Sequence, residues 1–394
     1  MNNDVVIVSA VRTAVGRSGG SLKGLSSGDL GAIVIKEALK RGSVSPELVD
    51  EVILGEVRQS TESSNVARVA SLRAGISEKA SAYTVNRLCA SGMQAIASGA
   101  QQIMLNQSEI VVAGGTENMS RAPIYLRNSR FGEGNPKLVD SNTENGQQPQ
   151  EIYGSHLGMG ITAENVAERY NISREDQDQF ALLSQQKASD AIQNGQFKDE
   201  IVPIQIKERK TSFIFDTDEF PRPNTTLEAL SKLKTAFKEN GSVTAGNACG
   251  RNDGAAAVVL MSSTKTQELG LKPLAKIVDW VSSGVSPEIM GIGPVPALAK
   301  LLQRTGKRIE DIGLIELNEA FAAQSLAVIR EAGLDSEKVN VNGGAIALGH
   351  PLGATGCRIV TSLIHEMSKR KEKYGVATLC VGGGQGMAIM LEHL

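Results

Sequence analysis

Four residues stand where side chains of their kind do chemistry. Cys89 ends the run Tyr83-Thr84-Val85-Asn86-Arg87-Leu88-Cys89, where a strand-like sequence gives way to a proline-free helical stretch that begins at Ala90. The first turn of a helix carries unpaired N–H groups and the positive end of the helix dipole. Both favour a thiolate, so Cys89 is expected to be a nucleophile with a lowered pKa. His350 lies in the glycine-rich stretch Asn340–Gly356, just before a second helix, much as Cys89 precedes the first. Cys380 ends a strand that runs into Gly382-Gly383-Gly384, which places it exposed at a sheet edge. Asn318 opens Asn318-Glu319-Ala320-Phe321, polar residues between a strand and the next helix.

These types together point to covalent acyl transfer. A thiolate accepts an acyl group well, an imidazole is a suitable base, and a second thiol can move a proton on carbon. Backbone N–H groups at Cys89 and at the Gly382 turn could hold an oxyanion, worth about 3–4 kcal/mol per donor in other enzymes. A metal site is the rival reading of Cys with His. No pair has ligand spacing such as C-x₂-C or H-x₃-H, so no metal is expected.

The elements that must position these residues read as α/β. Strands at Val5–Ser9, Val52–Leu54 and Glu109–Ala113 alternate with helices at Asp29–Arg41 and Asn65–Ala74. Arg12–Ser21 reads as a polar connection, and Gly114-Gly115 as a strand end. From Asn118 the chain turns polar and turn-rich, with two strong helices, Thr162–Arg169 and one opening at Ser173. This is an excursion from the core, a lid or cap. A second series follows with strands at Ala275–Val281, Leu314–Leu317, Val339–Val341 and Ala377–Val381. The endings Gly254-Ala-Ala-Ala-Val-Val-Leu-Met and Gly386-Met-Ala-Ile-Met-Leu echo each other, which implies a duplicated domain.

Composition excludes other classes. A net charge of −2 gives no electrostatic basis for nucleic-acid or membrane binding. Four scattered cysteines in 394 residues are no disulfide framework. The N-terminal run MNNDVVIVSA leads straight into a strand, so a cytoplasmic protein without a signal peptide is expected.

Five stretches carry a resemblance to thiolases: Asn86-Arg-Leu-Cys-Ala-Ser-Gly, Ala113-Gly-Gly-Thr-Glu-Asn-Met-Ser, Asn318-Glu-Ala-Phe-Ala-Ala-Gln, Asn342-Gly-Gly-Ala-Ile-Ala-Leu-Gly-His-Pro and Cys380-Val-Gly-Gly-Gly. The resemblance covers essentially the whole chain, in order. It implies two similar halves in a five-layered α/β/α/β/α core: residues 1–117, completed by 250–270, and residues 271–394. It makes 118–249 a CoA-binding loop domain. It implies Cys89 as the acylated nucleophile, His350 as its base, Cys380 as acid and base at the α-carbon, and Asn318 as holder of an oxyanion-hole water. It also implies that Arg222, Leu230, Ala236, Phe237 and Ala245 line the CoA site, with Cys249, Met290 and Phe321.

The implied activity is reversible thiolysis or Claisen condensation, most simply two acetyl-CoA to acetoacetyl-CoA and CoA. The alternatives are a 3-ketoacyl-CoA thiolase of broader chain length, a decarboxylating condensing enzyme, and a non-catalytic acyl-CoA or lipid binder. CoA is a substrate, and no other cofactor is expected. The partners implied are acyl-CoA, CoA and a homodimer or homotetramer. Two positions depart from the pattern of acetoacetyl-CoA enzymes. Gly158 stands where a His is usual, with His156 two residues upstream, and Cys249 stands where a Ser is usual. Gly158 points to a roomier acyl pocket, and Cys249 turns a CoA-contacting hydroxyl into a thiol.

Overall fold

Val5–Thr13 (β1) is apolar along most of its length and buried at every residue, which fits a strand covered on both faces. It belongs to a computed structural model that describes residues 4–132, 134–207 and 211–394. Met1 to Asn3 of the N-terminal run and Glu133 of the turn-rich stretch lie outside the described residues. The first half continues with α1 (Ser27–Arg41), β2 (Glu51–Gly55), α2 (Val66–Ala74), β3 (Ser81–Val85), α3 (Ser91–Met104) and β4 (Ile110–Asn118). The excursion carries α4 (Met159–Arg169) and α5 (Arg174–Gln193), and β5 (Asn252–Ser262) returns to the core. The second half is β6 (Ala275–Gly284), α6 (Pro294–Thr305), β7 (Leu314–Leu317), α7 (Ala322–Glu331), α8 (Leu352–Arg370), β8 (Tyr374–Val381) and β9 (Gln385–His393).

The first half-sheet has the order β3-β2-β4-β5-β1 and the second β7-β8-β9-β6. Counted within each half, the second repeats the first without its third strand. The strand expected at Val339–Val341 is the missing one, reduced to a single bridge between Val339 and Ile315. Asn340 is the reason. It takes a φ of 47°, and its side chain bonds Leu317 N (2.9 Å) and Leu317 O (2.8 Å), the groups a continuing ladder would use. The half-sheets meet edge to edge at Val6↔Lys276 and Ile7↔Ala275.

Three apolar clusters divide the layers. One packs α1 and α2 on the outer face of the first half-sheet. The second packs α3 and α8 between the sheets, and the third packs α6 and α7 outside the second. The result is the α/β/α/β/α core. β4 does not stop at Gly114-Gly115 but runs through both. These glycines serve close packing rather than a turn: a Cβ on Gly115 would lie 1.9 Å from the Gly353 carbonyl of α8.

The polar connection expected at Arg12–Ser21 also begins later, because Arg12 and Thr13 remain in β1. There they pair with Ile201–Val202 of the excursion. Arg12 is buried and donates through Nε to Glu200 (2.5 Å) and through both Nη atoms to Asp218 (2.7 and 2.9 Å). A buried guanidinium is tolerated only when paired in this way. The excursion is thus tied to the core by ladder pairing and by ions.

Gly115→Ala should lower stability by about 1–3 kcal/mol or more, because backbone rather than a flexible side chain must move. Denaturant midpoints of the variant and the parent chain measure it; an unchanged midpoint would contradict the close crossing.

Candidate active site

The turn that presents Cys89 is held by its own side chains. Leu88 adopts a φ of 47°, a conformation rare for a residue with a branched side chain. Asn86 Oδ1 accepts from Leu88 N (2.9 Å). Ser91 Oγ accepts from Arg87 N (2.9 Å) and donates to Leu88 O (2.6 Å). Cys89 therefore sits just outside α3, whose N-cap is Ala90. The Gly382 N–H lies close enough to its sulfur to favour the thiolate. The lowered pKa expected of Cys89 is not found. Burial pushes the thiol up, and this outweighs the Gly382 N–H, the residue's own N–H and the charge of Arg58, which act the other way.

His350 sits at the entry to α8. Its N–H bonds Asn252 Oδ1 (3.0 Å), and Gly349 before it takes a φ of 100° with no room for a Cβ beside Asn252. Thr355 Oγ1 lies 2.7 Å from His350 Nδ1 and donates its one hydrogen to Pro351 O (2.8 Å). Nδ1 must therefore carry the proton, which leaves Nε2 as a lone pair. Nε2 is buried without a protein partner. Burial, followed by the charge of Arg358, pushes the imidazole down to about 3. The ring is a neutral base over the physiological range.

Cys89, His350, Cys380 and Gly382 line one cavity of about 480 Å³. Cys380 is not exposed at a sheet edge as expected. β8 lies inside the sheet between β7 and β9, and Cys380 is 1% exposed among Met290, Ala320 and Phe321. Burial, then the neighbouring thiols Cys89 and Cys249, push its pKa far up. Asn318 stands behind the cavity lining. It is buried, and both polar atoms of its side chain lack protein partners, an arrangement suited to an ordered water.

The residues assigned to CoA divide into two groups. Ala236, Phe237, Cys249, Met290 and Phe321 line the reaction cavity, where Phe237 and Phe321 meet edge to face at 6.2 Å. Arg222, Leu230 and Ala245 instead line a separate outer cleft of about 350 Å³. The exit of the excursion is clamped beside them. Ala248 bridges Phe321, Arg251 bridges His350, and Cys249 N donates to Ala320 O (3.0 Å). Burial, then Cys89, push Cys249 up to about 12. The space expected beside Gly158 is taken: a Cβ there would meet the Asn145 side chain at 3.1 Å, and His156 lines the same cavity.

Sequence reasoning missed Thr355, Asn252 and Glu117. Glu117 accepts from Val57 N (3.0 Å), Arg58 N (3.0 Å) and Gly353 N (2.8 Å), pinning the start of α8 to the loop after β2. Glu117 does lie in the quoted stretch Ala113–Ser120, but nothing local marks its partners.

A duplicated α/β core whose central helices bring a thiol and a neutral imidazole to one cavity defines an acyl-transferring enzyme. Comparison with known proteins agrees. Residues 5–264 match the thiolase N-terminal domain and residues 271–393 the thiolase C-terminal domain. The chain is 54% identical to an acetyl-CoA acetyltransferase of Pseudomonas aeruginosa, over 99% of both chains. It is 52% identical to that of Escherichia coli, again over 99% of both. The structure of the Bacillus anthracis acetyl-CoA acetyltransferase superposes with a TM-score of 0.97 at 51% identity over 100% of both chains. Human mitochondrial 3-ketoacyl-CoA thiolase gives 0.96 at 46% identity, covering 100% of this chain and 99% of that one. The chain belongs to the thiolase family and is an acyltransferase.

Because burial dominates, alkylation of Cys89 by iodoacetamide should rise with pH through an inflection above the ordinary thiol range. Peptide mass spectrometry across pH 6–11 checks it. An inflection below that range would mean that the helix start and Arg58 outweigh burial.

Proposed function

We propose that this protein is an acetyl-CoA C-acetyltransferase working by a ping-pong route through S-acetyl-Cys89. His350 Nε2 takes the Cys89 proton, and the thiolate attacks the thioester carbonyl. CoA leaves, and the imidazolium returns the proton to its sulfur. In the second half-reaction Cys380 passes its proton to His350 and, as the thiolate, removes a proton from the methyl of a second acetyl-CoA. The resulting carbanion attacks S-acetyl-Cys89, acetoacetyl-CoA departs, and the imidazolium returns its proton to the Cys89 thiolate. Oxyanions are held by the N–H groups of Cys89 and Gly382 on one side, and by His350 with a water on Asn318 on the other. The observation that carries this reading is a neutral imidazole with a bare Nε2 in the same cavity as Cys89 and Cys380.

CoA is the expected partner, running from the reaction cavity past Phe237 to the outer cleft at Arg222, with residues 118–249 as its binding unit. The structure of human mitochondrial 3-ketoacyl-CoA thiolase in complex with CoA, at 46% identity and a TM-score of 0.95, supports this. The likeness to that thiolase also keeps a second reading, a broader 3-ketoacyl-CoA range. A non-catalytic binder would have no use for a tautomer fixed by Thr355. A cytoplasmic location belongs to the same reading; among the described residues no helix is long and apolar enough to cross a membrane.

Adding CoA should discharge the enolate absorbance of Mg²⁺-acetoacetyl-CoA, and no loss of signal sinks the proposal. Cys380→Ser should still acylate Cys89 from acetyl-CoA yet lose condensation and deuterium exchange at the acetyl methyl. His350→Ala should slow both half-reactions by about 10²–10⁴-fold.

The proposal includes a homodimer or homotetramer. Ile124, Leu126 and Leu138 are 67%, 55% and 76% exposed on the hairpin Ile124–Arg127/Lys137–Asp140, an apolar surface that a second copy could cover. Light scattering at micromolar concentration should give a dimer or tetramer mass; a monomer mass would refute it.

A further inference from the structure

We propose that the acyl end of the reaction cavity selects a short acyl group carrying a hydroxyl, so that the enzyme also makes and cleaves hydroxylated 3-oxoacyl-CoA. The proposal rests on the thiolase reading above and extends it to a substrate class. Its basis is the loop 142–147, which follows the exposed hairpin and gives Asn142, Asn145 and Gln147 to the wall of that cavity. A pocket built for a plain alkyl group would be lined there by apolar side chains.

The bonds that hold this loop leave amide oxygens over. Asp140 accepts from Asn142 N through Oδ1 (2.8 Å) and from Glu144 N through its carbonyl (3.0 Å). Asn142 Nδ2 donates to Met119 O (3.0 Å), which fixes that amide and leaves its Oδ1 a buried acceptor without a protein partner. Gln147 Oε1 is buried and unpartnered as well. Asn145 accepts from Gln150 Nε2 at its carbonyl (3.0 Å), and its side chain takes the space beside Gly158.

Gln147 stands close to the reacting atoms. A Cβ on Gly382 would meet Gln147 Cγ at 3.2 Å and Leu88 Cδ1 at 3.1 Å. The Gly382 N–H adjoins the Cys89 sulfur, and Leu88 is the chain neighbour of Cys89. A group bonded to Cys89 therefore reaches the Gln147 amide within a few atoms, which places the hydroxyl on the second or third carbon of the acyl group. The wall itself selects a hydroxyl. Unpaired amide oxygens need a donor, and an alkyl group leaves them desolvated and unpaired. A carboxylate or a further ketone only accepts. An ammonium donates, but among the described residues the lining holds no Asp or Glu and includes the cations Arg58 and Arg251.

The reaction balances as thiolysis. His350 takes the Cys89 proton, the thiolate bonds to C3 of the hydroxylated 3-oxoacyl chain, and the C2–C3 bond breaks. Its electron pair takes a proton from Cys380 to give acetyl-CoA, and the imidazolium proton restores Cys380. CoA then gives its proton to His350 and attacks the acyl-Cys89 carbonyl. Hydroxyacyl-CoA leaves, and the His350 proton returns to Cys89. The hydroxyl is unchanged throughout.

The test is thiolysis by the full chain of two matched pairs, with acetoacetyl-CoA as reference. One pair is 4-hydroxy-3-oxobutanoyl-CoA and 3-oxopentanoyl-CoA, the other 5-hydroxy-3-oxopentanoyl-CoA and 3-oxohexanoyl-CoA. Within each pair a hydroxyl replaces a methyl. In at least one pair kcat/KM should favour the hydroxy substrate by about three- to tenfold. The preference should sit in KM, because a more reactive carbonyl would show in kcat instead, and this reading needs no variant. Gln147→Leu should erase or reverse the ratio. Three results would overturn the proposal: preference for the methyl substrate in both pairs, the amides then holding only water; a preference confined to kcat; or a ratio that persists in Gln147→Leu. Turnover of acetoacetyl-CoA without hydroxy preference removes this inference alone; turnover of none of these substrates removes the thiolase reading as well.

Discussion

The structure depends on a backbone-to-backbone crossing of two helices in the middle layer. A Cβ on Gly92 of α3 would lie 2.8 Å from Gly353 O and 2.9 Å from Cys357 N of α8, and one on Gly356 would lie 2.5 Å from Met93 N. No side chains separate the helices there. One helix starts at the Cys89 turn and the other at the His350 turn. Crossing near those ends brings the Cys89 thiol and the His350 imidazole, 261 positions apart in sequence, to one cavity. Gly115 extends the same demand into β4, and Glu117 at the end of that strand ties down the first turn of α8.

Tight packing at the crossing also sets the electrostatics. Burial disfavours charge on both partners: it raises the Cys89 thiol and lowers the His350 imidazole. The resting pair is therefore neutral. Thr355 contributes by fixing a tautomer rather than by touching substrate.

Two-fold use of one domain shows in the strand order and in what broke it. The first half keeps five strands, while in the second the Asn340 side chain bonds Leu317 and ends the third. The same Asn340 side chain also donates to Glu319 (2.9 Å), which accepts from Ser184 of the excursion and from Ile346 N. The lost strand thus becomes a polar bracket behind Asn318, joining the second half to the excursion.

By itself the sequence determined the α/β class, the duplication, and the turns that bear Cys89, His350, Asn318 and Cys380. Strand-to-helix punctuation and glycine clusters are local signals, readable without knowing what packs against them. Other features are set by groups brought from far away in the chain. These include the direction of the Cys89 shift, the tautomer of His350, the burial of Cys380 and the passage of β4 through Gly114-Gly115. They also include the separation of Arg222, Leu230 and Ala245 from the inner cavity, and the filling of the space by Gly158 with Asn145. Only the tertiary structure decided these, because desolvation and close contact depend on neighbours in space, which local residue patterns do not encode.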